Sequence, residues 1–353
     1  MGYILSVISV ENINFGEAIA SPKKVIVKQH NLMKDKSITK QSQEFNEQHI
    51  LSHGNENESI EETIERVKQR IIKTGDKPHV TVARQLEFLN ELAGFPLGQF
   101  LLQNGGLNGY WTDYVVEHQF QGRITGIDAE GRSLTELEKF LLDKNSFPTQ
   151  QRYVNFGKAI QNCVQEDIVF ASLPCGVMRD LLKLDFTGVE NFRLVGIDID
   201  YESLELAKKL AEEYDLSEKV EFHQEDAWNL PFEDEFTLLT SNGLNVYEPD
   251  DEKVTELYRQ FFKALMPGGI LVTSFLTPSP NIDPNSEWDM SQINSEDLLL
   301  SKIIFFDILN VKFTAFRSSS TTKLQLQTVG FDEIEFIWDN ARIYPTVTAR
   351  KPK

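Results

Sequence analysis

Between residues 167 and 276, short apolar runs alternate with amphipathic stretches, and nothing else in the sequence restricts the fold as much. Strand patterns fit 167–173, 193–199, 219–225, 236–242 and 270–276. Helix patterns fit about 177–184, 201–214 and 250–265, the last stopped by Pro267-Gly268-Gly269. Such alternation winds a parallel sheet through right-handed crossovers, with helices covering both faces. Two further strand patterns, 333–338 and 342–349, are separated only by Asp339-Asn340-Ala341. Strands that close must pair antiparallel, because a parallel crossover needs about a dozen residues.

Ahead of the sheet the pattern is helical. Ile60, Ile64, Val67 and Ile71 recur at helix spacing over 59–73, with Gly75 as a stop. Further helices fit 82–93, a short stretch from Pro96 toward Gly105-Gly106, and Thr149 through Cys163. Ser133-Leu134-Thr135-Glu136 reads as a capping box opening a helix through Leu142. The first 75 or so residues say least: 4–10 fits a short strand, 21–40 hold six lysines, and 41–57 are polar. The expected division is an extension over 1–78, partly mobile or peripheral, and a helical cap module over 79–163. An α/β domain over 164–353 follows, with a cap insertion at about 277–316.

The formal net charge of −19 opposes nonspecific attraction to phosphate backbones and anionic membranes, so neither nucleic acid nor membrane is expected as a partner. Two cysteines, Cys163 and Cys175, make no disulfide framework and no thiolate metal site. No apolar run approaches the roughly 18 residues that span a bilayer. Glu11 interrupts the apolar opening and no basic residue precedes it, so a cytoplasmic location is expected.

Chemistry concentrates at three strand ends. The first strand runs into Ser172-Leu173-Pro174-Cys175-Gly176, where Gly176 permits close backbone approach at the edge of the sheet that receives ligands. The second ends in Gly196-Ile197-Asp198, followed by Ile199-Asp200 and a helix. A carboxylate at 198 suits two ribose hydroxyls, and Asp200 suits the helix cap. Asp226-Ala227 follows the third strand; its carboxylate can accept from an exocyclic amine and Ala227 offers an amide.

Taken together, residues 167–353 resemble a class I S-adenosylmethionine-dependent methyltransferase. The resemblance rests on the Cys175-Gly176 turn, Gly196-Ile197-Asp198, Glu225-Asp226-Ala227, Leu265 through Leu271, and an ending Gly330-Phe331 with 342–352. It implies a seven-stranded, mostly parallel Rossmann-like sheet with an antiparallel last strand, joined to the N-terminal helical module. It also implies S-adenosylmethionine as cofactor, with Asp198, Ile199, Asp226 and Ala227 around its nucleoside. The family's first turn usually reads D-x-G-x-G-x-G. Here Ser172, Pro174 and Met178 replace the acid, the first glycine and the last glycine. Ser172, an amide near Cys175, or Arg152 from the helical module is therefore expected to hold the methionine end.

The fourth strand leads into 241–248, which in the resembled family lies between cofactor and acceptor. Asn242 or Asn245 could bond the acceptor or the cofactor's amino group, and Tyr247 could line the pocket. His118 follows the aromatic cluster Tyr110, Trp111 and Tyr114 and is a further catalytic candidate. No His, Cys and carboxylate grouping has metal-ligand spacing. Tyr110, Trp111 and Tyr153, with Phe305 and Phe306, point to an apolar or aromatic small-molecule acceptor. The expected reaction is direct displacement by an EC 2.1.1-class enzyme, with no residue acting as nucleophile. The alternatives are a catalytically inactive methyltransferase-fold binding module, or a nicotinamide-dependent oxidoreductase, although G-x-G-x-x-G is absent from 173–180.

Overall fold

The computed structural model describes residues 58–353 apart from 121 and 129. The strand expected at 4–10 and the lysine cluster at 21–40 lie outside the described residues. Helices α1 (Ile60–Thr74), α2 (Val82–Ala93) and α3 (Pro96–Asn104) come first. They are followed by α4 (Gly109–His118), α5 (Gly122–Thr125), α6 (Glu136–Lys139, continued by a π-helical Phe140–Lys144) and α7 (Phe147–Gln161). The α/β region contains β1 (Ile168–Ser172), α8 (Arg179–Leu182), β2 (Phe192–Asp198), α9 (Tyr201–Glu213), β3 (Val220–Gln224), β4 (Phe236–Ser241), α10 (Asp251–Ala264) and β5 (Leu265–Ser274). After it come α11 (Ser295–Ser301, continued by a π-helical Lys302–Leu309), α12 (Ser319–Val329), β6 (Asp332–Ile337) and β7 (Thr346–Arg350).

The sheet order is β3-β2-β1-β4-β5-β7-β6. Strands β1 to β5 pair parallel, while β7 pairs antiparallel with β5 and β6. The seven strands and the inverted last strand are those expected from the sequence, with one change. Strand β7 begins at Thr346 rather than at 342, leaving a loop over 338–345 in place of the three residues expected. The order reverses between β1 and β4, which opens a crevice at their C-terminal ends. One apolar cluster, including Tyr258, Phe261 and Phe275, fills one face of the sheet. The other, including Phe156, Leu194 and Leu210, runs from the sheet into α1 through α4 and the π-helical turn of 302–309.

Local chemistry sets the helix ends. Ser59 and Glu62 form a reciprocal cap at α1, and Gly75 closes it onto the Ile71 carbonyl. One expected cap shifts by two residues. The capping box is Thr135 with Glu138, whose carboxylate accepts from the Thr135 amide at 2.8 Å, not Ser133 with Glu136. Two S/T-x-x-E frames overlap there, and Glu138 gains Arg132 as a second partner that Glu136 lacks.

Charged clamps hold the helical layer over the crevice. Arg179 on α8 pairs with Asp113 on α4, and Lys183 donates to both oxygens of Glu117. Across the roof, Asp307 accepts from Lys77 at 2.5 Å and from His79 at 2.7 Å. Contact is tightest where Gly109 meets the first turn: a Cβ there would lie 2.7 Å from both Gly176 Cα and Ser203 Oγ. Gly109→Ala is therefore expected to lower stability by about 1–3 kcal/mol, as overpacking does. Thermal denaturation of the variant beside wild type measures it.

Candidate functional site

One cleft of about 1800 Å³ opens where the sheet order reverses, between the β1, β2, β3 and β4 ends below and α4, α7 and the 277–316 segment above. Asp198 is buried at its floor. Its Oδ2 accepts from the Gly176 amide at 2.8 Å and its Oδ1 from the Asp200 amide at 3.0 Å, tying the first turn to the second. The Ile199 amide bonds it as well, so about one of a carboxylate's four or so acceptor positions remains. Burial first, then the neighbouring Asp200 charge, raises Asp198 to about 7. Asp200 itself caps α9, accepting from the Glu202 amide at 3.0 Å and the Ser203 hydroxyl at 2.6 Å. Asp226, Ala227 and Trp228 line the same cleft, and Asp226 accepts from the Trp228 amide at 3.0 Å.

The missing acid of the first turn has a spatial counterpart. Asp180, on α8, turns its carboxylate back to the ends of β1 and β4. It accepts from Ser172 Oγ at 3.0 and 3.2 Å and from Thr240 Oγ1 at 2.8 Å. It lines the cleft, has no cationic partner within 4 Å among the described residues, and burial raises its pKa. Sequence reasoning missed it by weighing only the turn. Two hydroxyls ending neighbouring parallel strands were the available signal, since they want a common acceptor.

The chain is similar to several proteins of known structure. A possible exported protein from Bordetella parapertussis is 42% identical over 83% of this chain and 96% of its own, with a TM-score of 0.78. The apo S-adenosylmethionine-dependent methyltransferase SibL is 15% identical, covering 76% of this chain and 77% of its own, with a TM-score of 0.46. Human N-acetylserotonin methyltransferase in complex with SAM is 17% identical, covering 72% and 70%, with a TM-score of 0.41. No curated protein matches the chain. Residues 171–269, which run from β1 into β5 and include the strand ends beneath the cleft, match a methyltransferase domain. Residues 171–269 thus form a methyltransferase domain, and the sheet that carries them has the class I methyltransferase fold.

S-adenosylmethionine is thus its cofactor, and the cleft fits it. Asp198, Asp226 and Asp180 all place their carboxyl groups along the cleft wall. Ser172, Pro174, Cys175, Gly176, Ile199, Ala227, Asn242, Tyr247 and Arg152 also line the cleft of this methyltransferase. The amides of Cys175 and Gly176 are not free for a ligand, however. Cys175 N–H donates to the Ile197 carbonyl at 2.9 Å and Gly176 N–H to Asp198. Ser172 spends its hydroxyl on Asp180.

Three other expectations change. His118 does not line the cleft: its ring is buried beneath Gly122, facing Asp143 at 3.4 Å, and burial lowers its pKa. Asn245 is a structural residue, donating to Tyr258 Oη and the Ser274 carbonyl, both at 2.9 Å. Tyr110 and Trp111 are core residues packed edge to face, whereas Tyr153, Phe305 and Phe306 do line the cleft. Asn242 accepts from Ser274 Oγ at 3.2 Å, and burial pushes the Tyr247 phenol up to about 12.

A carboxyl raised above its unfolded value contributes most to stability at low pH, and that contribution is lost as pH rises through about 7. Ligand binding runs the other way, because hydroxyls donate to the ionised form. Binding of S-adenosylhomocysteine, followed by calorimetry, is expected to tighten about tenfold from pH 6 to pH 8. Asp198→Asn is expected to remove that slope.

Proposed function

We propose that this methyltransferase moves the methyl group of S-adenosylmethionine to an apolar or aromatic small molecule by direct displacement. One observation carries the reading. The carboxylates of Asp198 and Asp226 open onto a single cleft that continues past Asn242 and Tyr247 under an apolar roof including Leu298, Phe305 and Phe313.

The bound cofactor supplies an electrophilic methyl group. The chain's own residues supply alignment and exclusion of water, which such a displacement chiefly needs. Asp198 would hold the ribose hydroxyls and Asp226 with Ala227 the base edge. Asp180, fixed by two hydroxyls, would take the ammonium of the methionine end in place of the acid that Ser172 replaces. Asn242 and Tyr247, at the end of β4, would orient the acceptor. Tyr153, Phe305 and Phe306 would keep water away.

Calorimetric titration separates these roles. Wild type is expected to bind S-adenosylhomocysteine, and Asp198→Ala to lose about ten- to a hundredfold in affinity. Asp180→Asn is expected to lose about tenfold for S-adenosylhomocysteine and nothing for 5′-methylthioadenosine, which lacks the amino acid. Equal losses for both ligands would make Asp180 a merely structural residue. No binding by wild type would remove the methyltransferase reading.

A further inference from the structure

Among the described residues, three arginines are buried to below one-tenth exposure: Arg152, Arg179 and Arg317. Arg179 has Asp113, and Arg317 has Asp251 at 2.7 Å with the carbonyls of Asn245 and Glu248 at 2.9 and 2.7 Å. Arg152 has neither. Among the described residues no carboxylate lies within 4 Å of its guanidinium, and its buried Nε has no hydrogen-bond partner. The Tyr344 ring packs against it, with the guanidinium carbon 4.5 Å from the ring centre. Asp339, the acid whose charge Arg152 feels, is committed to the amides of Ile343 and Tyr344 at 3.1 and 2.7 Å. An uncompensated buried charge costs several kcal/mol, and an arginine cannot escape it by losing its proton. A guanidinium left so inside a ligand cleft is matched by the ligand.

Its place in the sheet says which ligand. A Cβ on Gly243, just past β4, would lie 3.8 Å from Arg152 Nη1, and Tyr344 precedes β7. The nucleoside carboxylates end β2 and follow β3, on the far side of β1. From β2 to β4 is two strand spacings, roughly 10 Å, and β7 lies further still. We propose that Arg152 is an anion subsite in the acceptor half of the cleft, and that the acceptor carries a carboxylate on an apolar or aromatic frame. This reassigns Arg152 from the methionine end of the cofactor to the substrate, and it rests on the methyltransferase reading above for where the cofactor lies. A carboxylate matches the planar fork of one guanidinium, whereas a phosphate dianion would meet Asp339 with only a single cation to offset it.

The test uses full-length protein saturated with S-adenosylhomocysteine, titrated calorimetrically with 3-phenylpropanoate and with 3-phenylpropanamide. Wild type is expected to prefer the carboxylate at least about tenfold, the worth of one charge-assisted pair. Arg152→Gln is expected to abolish the preference while S-adenosylhomocysteine affinity stays within about threefold; Arg152→Lys is expected to keep part of it. No preference in wild type, or a loss of S-adenosylhomocysteine affinity as large as that for the carboxylate, overturns the assignment. If wild type fails to bind S-adenosylhomocysteine, the methyltransferase reading fails instead. The carboxylate–amide comparison on the protein alone then still reads the subsite.

Discussion

The site depends on one buried carboxylate bridging two turns. Asp198 takes an amide from the Gly176 turn and another from the start of α9, so the ends of β1 and β2 are held as a single floor. Gly176 sits at φ +52°, a left-handed conformation that glycine adopts without strain. That conformation also lets the backbone of Gly109 rest on it from above. The floor of the cleft and the helical layer over it are therefore fixed at the same point.

Buried charge is sorted accordingly. Pairs that close on themselves, Arg179 with Asp113 and Arg317 with Asp251, clamp elements together around the cleft. Among the described residues, buried and half-buried charged groups without a counter-ion within 4 Å, including Asp180, Asp198 and Arg152, line it. A negative charge between β1 and β4 and a positive charge toward β7 give the cleft a polarity along its length. In the proposed reading this polarity would orient a cofactor and an acceptor with respect to one another.

Much of this was legible in the sequence because it rests on local patterns. Strand periodicity gave the parallel sheet, and three residues between the last strand patterns gave the antiparallel hairpin. Asp198 was legible because an acid ending an apolar strand before a helix has few structural uses, and Asp200 was the better cap. What was not legible depends on contacts far apart in sequence. Asp180 is tied to Thr240, sixty residues away. His118 looked accessible beside an aromatic cluster, yet Gly122 packs over its ring. Tyr110 and Trp111 lie on the inward side of α4, which spacing alone did not reveal. Where the first turn departs from the family, Met178 takes the position of the last glycine at φ +61° and fills the core with its side chain.

The most direct measurement of the central claim is a crystal structure of the chain with S-adenosylhomocysteine. The account predicts an adenosine seated across the β1, β2 and β3 ends, its ribose on Asp198 and its base beside Asp226 and Trp228. A ligand bound elsewhere, or one in the cleft that touches neither carboxylate, would contradict it.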